Sequence, residues 1–138
     1  KTESMTTLTR CYEFAASHRL HVDALSDEEN VRLFGKCNNL RGHGHNYVVE
    51  VTVSGAVDPK TGMMIDLMLL DDVVNREVVE RYDHKNLDED LEDFKGSAST
   101  SENIVQAIFK RLDSTVPGTL EKVKLFETAR SSFEVRRA

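Results

Sequence analysis

Two early segments of the chain alternate between apolar and polar residues, which is the pattern of a β-strand with one buried face. The first segment is residues 10–20, where one parity carries Tyr12, Phe14, Ala16, His18 and Leu20. The second segment is residues 43–54, where one face carries Tyr47, Val49, Val51 and Val53. Each segment therefore predicts a strand that turns these side chains toward a core.

Apolar positions three and four residues apart predict two helices. The first covers residues 67–81, with Asp66 as its N-cap, and the second covers residues 101–113. Their apolar stripes are Leu67, Leu70, Val74 and Val78 in the first, and Ile104, Val105, Ile108, Phe109 and Leu112 in the second. A shorter helix near residues 28–34 should end at Gly35.

Two local signals refine the ends of these elements. Ser99 followed by Glu102 predicts a capping box at the start of the second helix, with Ser99 as the N-cap. Asp58-Pro59 and the later Gly62 are typical of a turn, so Met63 to Ile65 could begin the return strand of a hairpin.

The order of the elements favours one fold class. Two further strands are predicted near residues 119–127 and 132–137, and residues 83–98 have the composition of a polar loop. Strands separated in this way from helices indicate an α+β fold, an antiparallel sheet with helices on one side. Residues 1–9 are expected to form a flexible tail that precedes a single domain over residues 10–138.

Composition excludes several classes of protein. The formal net charge is −6, and no block of Lys or Arg suggests a nucleic-acid surface. No apolar run approaches the roughly 20 residues of a membrane span. Two cysteines in 138 residues do not make a disulfide framework. We therefore expect a cytoplasmic protein that binds neither nucleic acid nor membrane.

Three histidines form a candidate metal site. His43 and His45 stand two apart on the second strand, so their side chains point the same way about 7 Å apart. His18 lies on the apolar parity of the neighbouring strand, whereas His21 should point to the opposite face. Three imidazoles with an open position are typical of catalytic zinc, although Cys37 could instead close the site as a fourth ligand. A metal-free, hydrogen-bonded pair of histidines is the simpler alternative.

Three further positions are candidates for chemistry. Cys37 lies among Gly and Asn residues, and Lys36 beside it would favour the thiolate. Asp83 precedes His84 and could fix its tautomer, unless the two form a solvated turn. Glu127 shares the apolar parity of its strand, where a carboxylate needs a partner unless the register shifts at the strand end.

Taken together, six short strings resemble the 6-pyruvoyl-tetrahydropterin synthase family. They are Ala16-Ser17-His18-Arg19-Leu20, Lys36-Cys37-Asn38-Asn39, Gly42-His43-Gly44-His45-Asn46-Tyr47, Asp83-His84-Lys85-Asn86-Leu87-Asp88, Thr100-Ser101-Glu102-Asn103 and Glu127-Thr128. They follow the order of the family and span the chain from about residue 12 to its end. None of the strings is specific alone, but the set is.

The resemblance implies a fold, an assembly and a reaction. The fold would be the tunnelling fold, a four-stranded antiparallel sheet with two helices on one face. Three subunits would close a barrel, two such trimers would form a homohexamer, and the active sites would lie between subunits. The enzyme would be a zinc-dependent lyase that converts 7,8-dihydroneopterin triphosphate to 6-pyruvoyl-tetrahydropterin in tetrahydrobiopterin biosynthesis. Whether Mg²⁺ accompanies the triphosphate stays open.

The resemblance also implies roles for individual residues. It implies that zinc is bound by His18, His43 and His45. It implies that proton transfer involves Cys37 as the general base, with Asp83 and His84 as its partners. It implies that the pterin ring is anchored by Glu127, in a pocket lined by Thr100, Ser101 and Glu102. One departure is Ser99, which stands where the family often has proline.

Two alternatives to the pyruvoyl enzyme remain. The related 6-carboxy-tetrahydropterin synthases usually have three residues between the cysteine and the His-Gly-His string. Here five residues separate Cys37 from His43, which favours the pyruvoyl branch. The second alternative is a non-catalytic binding module that a zinc ion stabilises, with Cys37 as a fourth ligand.

Overall fold

The computed structural model describes residues 4–138, and its centre is one mixed β-sheet. The strands are β1 (Met5–His18), β2 (His43–Ala56), β3 (Lys85–Asn86), β4 (Thr119–Thr128) and β5 (Ser131–Arg136). They lie in the order β3-β1-β2-β4-β5. The four long strands are antiparallel to their neighbours, and the short β3 runs parallel to β1. The α+β class is confirmed.

The helices follow the predicted apolar stripes. They are α1 (Asp27–Phe34), α2 (Leu67–Val74), α3 (Glu80–Tyr82) and α4 (Ser101–Asp113). A 3₁₀ turn, Gly35–Asn38, follows α1, and a π turn, Asn75–Val79, joins α2 to α3 into one helical stretch over residues 67–82. No helix within residues 4–138 is both long enough and apolar enough to cross a membrane.

The core lies between one face of the sheet and the long helices. The sheet contributes alternate residues, among them Phe14, Tyr47, Val49, Val51, Val53, Val123 and Leu125. The helices contribute Leu70, Val74, Val78, Ile104, Ile108 and Leu112. Removing each large aliphatic side chain from water contributes about 1.5–3 kcal/mol, so this layer supplies most of the driving force for folding.

The structure corrects the prediction for the N-terminus. Residues 5–9 belong to β1 instead of to a tail over residues 1–9, because β2 is long enough to pair with them. Met5 lies opposite Ala56, and the ladder continues without a break to His18. Residues 1–3 of the predicted tail lie outside the described part of the chain.

Three other predictions are wrong in detail. The sheet has five strands instead of four, because part of the predicted 83–98 loop pairs with Ala16 and Ser17 as β3. Residues 63–65 form no strand. Thr100, not Ser99, is the N-cap of α4, and its hydroxyl accepts a hydrogen bond from the Asn103 N–H at 3.2 Å. Ser99 is instead fully buried.

A buried ion pair joins the helical layer. The Asp93 side chain is only 5% exposed and accepts hydrogen bonds from Arg81 Nε at 3.1 Å, Tyr82 Oη at 2.7 Å and Arg111 Nε at 3.1 Å. Burial by itself would raise the pKa of Asp93, but these three donors outweigh it and hold the pKa below the usual range of a carboxyl. Asp93 therefore connects α3 to α4.

We predict that Asp93→Asn lowers the free energy of unfolding by about 2–4 kcal/mol at pH 7, because two arginines lose their anion. The folded-state pKa lies below the unfolded value, so this contribution is present at neutral pH and is lost as the pH falls below about 4. Denaturant unfolding at several pH values measures both effects. Asp72→Asn, on an exposed position of α2, is the matched control. Equal stability of the two variants at pH 7 would contradict the prediction.

Candidate metal centre and active site

The pairing of β1 with β2 brings the three histidines together. His18 lies opposite His43, and Ala16 lies opposite His45, at the end of the antiparallel ladder. Since side chains alternate between the two faces of a sheet, all three imidazoles lie on the face that carries the core. Tyr47, the next residue of this parity on β2, is fully buried beneath them.

The imidazoles already lie close to the arrangement that a metal needs. His18 Nε2 and His43 Nε2 are 3.1 Å apart, and one ligand atom from each of the three histidines lies within 4.8 Å of the others. Nitrogens that surround zinc tetrahedrally at 2.0–2.1 Å are about 3.3 Å apart. The cluster could therefore hold a metal ion after small rotations of the rings. His21 lies outside the cluster, as predicted.

The hydrogen bonds of the cluster also favour a cation. His18 Nδ1 donates to the Ser99 carbonyl oxygen at 2.8 Å, which leaves its Nε2 with a lone pair. His43 Nδ1 and His45 Nε2 are buried and have no hydrogen-bond partner among the described residues. Buried polar atoms are rarely unpaired. A bound metal would use the lone pair of His45 Nε2 together with that of His18 Nε2, so the donor set agrees with a metal site.

The protonation state suits ligation as well. Burial lowers the pKa of His18, and burial together with the neighbouring His45 lowers the pKa of His43. Both rings are therefore neutral at neutral pH, which is the form of histidine that binds a metal.

Three acidic groups lie near Tyr47, the residue buried beneath the histidines. Burial raises the pKa of Tyr47, and the charges of Glu127, Asp88 and Cys37 raise it further. These three groups therefore lie near enough to act on the Tyr47 ring. The Tyr47 hydroxyl is buried without a hydrogen-bond partner in residues 4–138, while its ring stacks on Phe14 at 5.0 Å.

Glu127 stands at the end of β4 beside the metal cluster. Its Oε2 accepts a hydrogen bond from Ser101 Oγ at 2.7 Å and lies 3.9 Å from His45 Nε2. The side chain is 23% exposed, so one edge of the carboxylate is open to a ligand. Of the other residues expected beside it, Thr100 caps α4 and Glu102 is exposed.

Cys37 lies on the 3₁₀ turn and is half-buried and unpaired. Its carbonyl oxygen accepts a hydrogen bond from the Leu20 N–H at 2.9 Å, two residues after His18. The buried Asn38 donates to the Leu20 carbonyl oxygen at 2.6 Å and accepts from Arg19 Nε at 3.0 Å. The turn is thus attached to the chain next to the metal cluster, although Cys37 does not belong to the group of three ligand candidates.

Asp83 and His84 lie farther out, at the edge of β1. Asp83 Oδ1 accepts from the Ala15 N–H at 2.8 Å, and its Oδ2 lies 2.9 Å from His84 Nδ1. These two contacts lower the pKa of Asp83. His84 has a φ of 59° and a side chain that is 83% exposed. His84 lies beside a surface depression that His45 also lines. Asp83 and His84 are therefore next to the site but are not buried in it.

Two residues at the site were not predicted as part of it. Ser99 Oγ donates to Asp88 Oδ1 at 2.6 Å, while the Ser99 carbonyl oxygen accepts from His18. Local spacing had assigned Ser99 to a helix cap, and Asp88 appeared only as the last residue of a matching string.

Comparison with known proteins agrees with this geometry. The family model of 6-pyruvoyl tetrahydropterin synthase matches residues 7–138. The 6-pyruvoyl tetrahydrobiopterin synthase of Drosophila melanogaster is 46% identical over 94% of this chain and 78% of its own length. The human protein of that name is 49% identical over 88% of this chain and 84% of its own.

A solved structure supports the same assignment. The 6-pyruvoyl tetrahydropterin synthase of Caenorhabditis elegans superposes with a TM-score of 0.93 at 43% identity, covering 99% of this chain and 98% of the other. The match thus extends over the whole sheet, the helices and the histidine cluster. The chain belongs to the 6-pyruvoyl tetrahydropterin synthase family.

Proposed function

We propose that this chain is a zinc-dependent lyase that converts 7,8-dihydroneopterin triphosphate to 6-pyruvoyl-tetrahydropterin and triphosphate in tetrahydrobiopterin biosynthesis. The observation that carries the proposal is the cluster of one buried and two half-buried imidazoles, with the Glu127 carboxylate 3.9 Å from His45 Nε2. Family membership and the names of the similar proteins agree with this reaction.

His18, His43 and His45 would hold the zinc and leave one coordination position open. Bound there, the ion would act as a Lewis acid on the hydroxyls of the substrate side chain. Imidazole nitrogens suit zinc, and Glu127 lies outside the group of three ligand candidates.

Glu127 is the proposed anchor of the pterin ring. Ring N–H groups can donate to its partly exposed carboxylate, which Ser101 already orients through one hydrogen bond. A charged acceptor makes a stronger hydrogen bond than a neutral one, which would fix the position of the ring relative to the metal.

Cys37 and the pair Asp83–His84 are the proposed proton carriers. The Cys37 thiolate would take a proton from a carbon of the side chain, and His84 with Asp83 would return protons. The ring would be reduced while the side chain is oxidised, so no external oxidant is needed, and triphosphate would leave by elimination. Arg19, Lys36 and Arg41 are the cations proposed to meet the triphosphate, with or without Mg²⁺.

The proposed assembly is a homohexamer, a dimer of trimers in which three sheets close a barrel and the active sites lie between subunits. Within residues 4–138, β1 pairs with β3 only at Ala16 and Ser17, and β5 pairs only with β4. Both outer edges of the long strands are thus open, and closure of a barrel removes such edges. The exposed His84 would then lie where subunits meet.

We further propose that residues 10–138 act as a single synthase domain in the cytoplasm. One hydrophobic core covers the sheet and the helices, which supports one domain. Cys11 and Cys37 are both free, which is usual in a reducing compartment.

The proposed reaction is tested by incubation with 7,8-dihydroneopterin triphosphate before and after removal of zinc. Triphosphate release that depends on zinc, with a pyruvoyl product, would support the proposal. A carboxy product would assign the chain to the 6-carboxy branch. The absence of release from folded, zinc-loaded protein would favour the non-catalytic binding module.

We predict that His43→Ala loses bound zinc, because one of three ligands is removed. Its affinity should fall more than about 100-fold, since even changes outside the ligands cost 10–100-fold. Metal analysis of the purified protein measures this loss. His84→Ala is the control, because His84 lies outside the cluster and that variant should keep its zinc. Equal zinc content in both variants would exclude the cluster as the metal site.

We predict that Cys37→Ala lowers turnover by about 10²–10⁴-fold while zinc content and pterin affinity stay unchanged, because only the general base is lost. Steady-state rates, metal analysis and pterin binding measure the three quantities. Cys11→Ala, which removes an exposed thiol of β1, is the matched control and should keep the normal rate. A normal rate in Cys37→Ala would show that another group is the base.

We predict that light scattering gives the mass of six chains of 15.6 kDa each. Barrel closure between the β1 and β5 edges needs more than one copy of this sheet, and the proposed trimer would supply twelve long strands. A monomer that retains full activity would contradict both the proposed barrel and the active sites between subunits.

A further inference from the structure

The carboxylate of Asp88 is connected to His18, one of the three clustered histidines, by buried and partly buried hydrogen bonds. We propose that Asp88 is a positioning residue that holds the His18 imidazole in its metal-binding orientation, through Ser99 and through the backbone of Arg19. The inference rests on the metal site proposed above and concerns how that site acquires its affinity.

The first contact is between His18 and Ser99. His18 is fully buried, and its Nδ1 donates to the Ser99 carbonyl oxygen at 2.8 Å. A carbonyl oxygen only accepts hydrogen bonds, so this contact sets the tautomer and leaves Nε2 free to face His43. The orientation of the ring therefore depends on where the Ser99 carbonyl lies.

The second contact holds Ser99 itself. The Ser99 hydroxyl donates to Asp88 Oδ1 at 2.6 Å, and Ser99 is itself fully buried. Ser99 precedes α4 in a loop and belongs to no strand ladder; its neighbours Ala98 and Thr100 are hydrogen-bonded to α4, and its own side chain is bonded to Asp88. The hydrogen bond to a charged acceptor is a strong restraint on this loop.

The third contact holds the strand that carries His18. Asp88 Oδ2 accepts from the Arg19 N–H at 2.7 Å, directly after β1 ends. The two oxygens of one carboxylate thus restrain both the backbone beside the ligand and the carbonyl that orients its ring. Groups that hydrogen-bond to a metal-bound imidazole in this way tune metal affinity.

The contact through the Ser99 hydroxyl is separable from the contact through Arg19. In this chain Ser99→Ala removes the link to Asp88 and keeps the carbonyl, whereas Asp88→Asn also weakens the acceptor for the Arg19 N–H.

The test is zinc affinity, measured by competition with a chromogenic chelator on the full chain. Asp88→Asn should weaken binding about 10–100-fold and Ser99→Ala about tenfold. The double variant should bind about as weakly as Asp88→Asn alone, since both changes break the same link. Asp90→Asn is the control, because Asp90 accepts from the Asn86 N–H in the same turn without contact to Ser99.

A merely structural role is distinguished by two further readouts. The unfolding midpoint of the metal-free variants reports stability, and the visible spectrum of the Co²⁺-loaded protein reports ligand geometry. Positioning predicts a changed Co²⁺ spectrum in Asp88→Asn and Ser99→Ala, but not in Asp90→Asn. If Asp88→Asn does not fold, Ser99→Ala alone decides the question.

Zinc affinities within about twofold of the Asp90→Asn control, or fully additive losses in the double variant, would overturn the positioning role. Failure of the unchanged protein to bind zinc would overturn the metal site itself, and with it this inference.

Discussion

The register of β1 against β2 is the constraint on which the site depends. It sets His18 opposite His43 and Ala16 opposite His45, all on the core face. Successive side chains of a strand point to opposite faces of the sheet. A register slip of one residue would therefore turn the histidines of one strand, either His18 or His43 and His45, to the opposite face. The same slip would remove Phe14 from the core if β1 turned over, or Tyr47 if β2 did. The hydrophobic energy that folds the sheet therefore also assembles the candidate metal ligands.

The polar site is compatible with this core because it lies at the end of the ladder. Other elements can reach the imidazoles there: the end of β4 carries Glu127, and the loop before α4 carries Ser99. Their hydrogen bonds satisfy polar groups that burial would otherwise make costly. Of the buried ring nitrogens that stay unpaired, His45 Nε2 is one that a cation could bind.

The spacing of apolar residues in the helices and their alternation along the strands predicted the features that depend on local sequence pattern. They indicated the bounds of α4, the shared face of the three histidines and the inward position of Glu127. They failed where a tertiary contact decides: β3 exists because Ala16 and Ser17 pair with it, and Ser99 is buried because Asp88 and His18 hold it. The exposure of His84 agrees with the solvated turn that the sequence left open, since adjacency in sequence does not determine how deeply a residue is buried.

Zinc K-edge X-ray absorption on the purified, zinc-loaded protein tests the central claim most directly, that three histidines bind the metal and leave Cys37 free. The account predicts three nitrogen ligands at about 2.0–2.1 Å and one further oxygen or nitrogen ligand. A sulfur ligand at about 2.3 Å would contradict it, because Cys37 would then close the site and could not serve as the base.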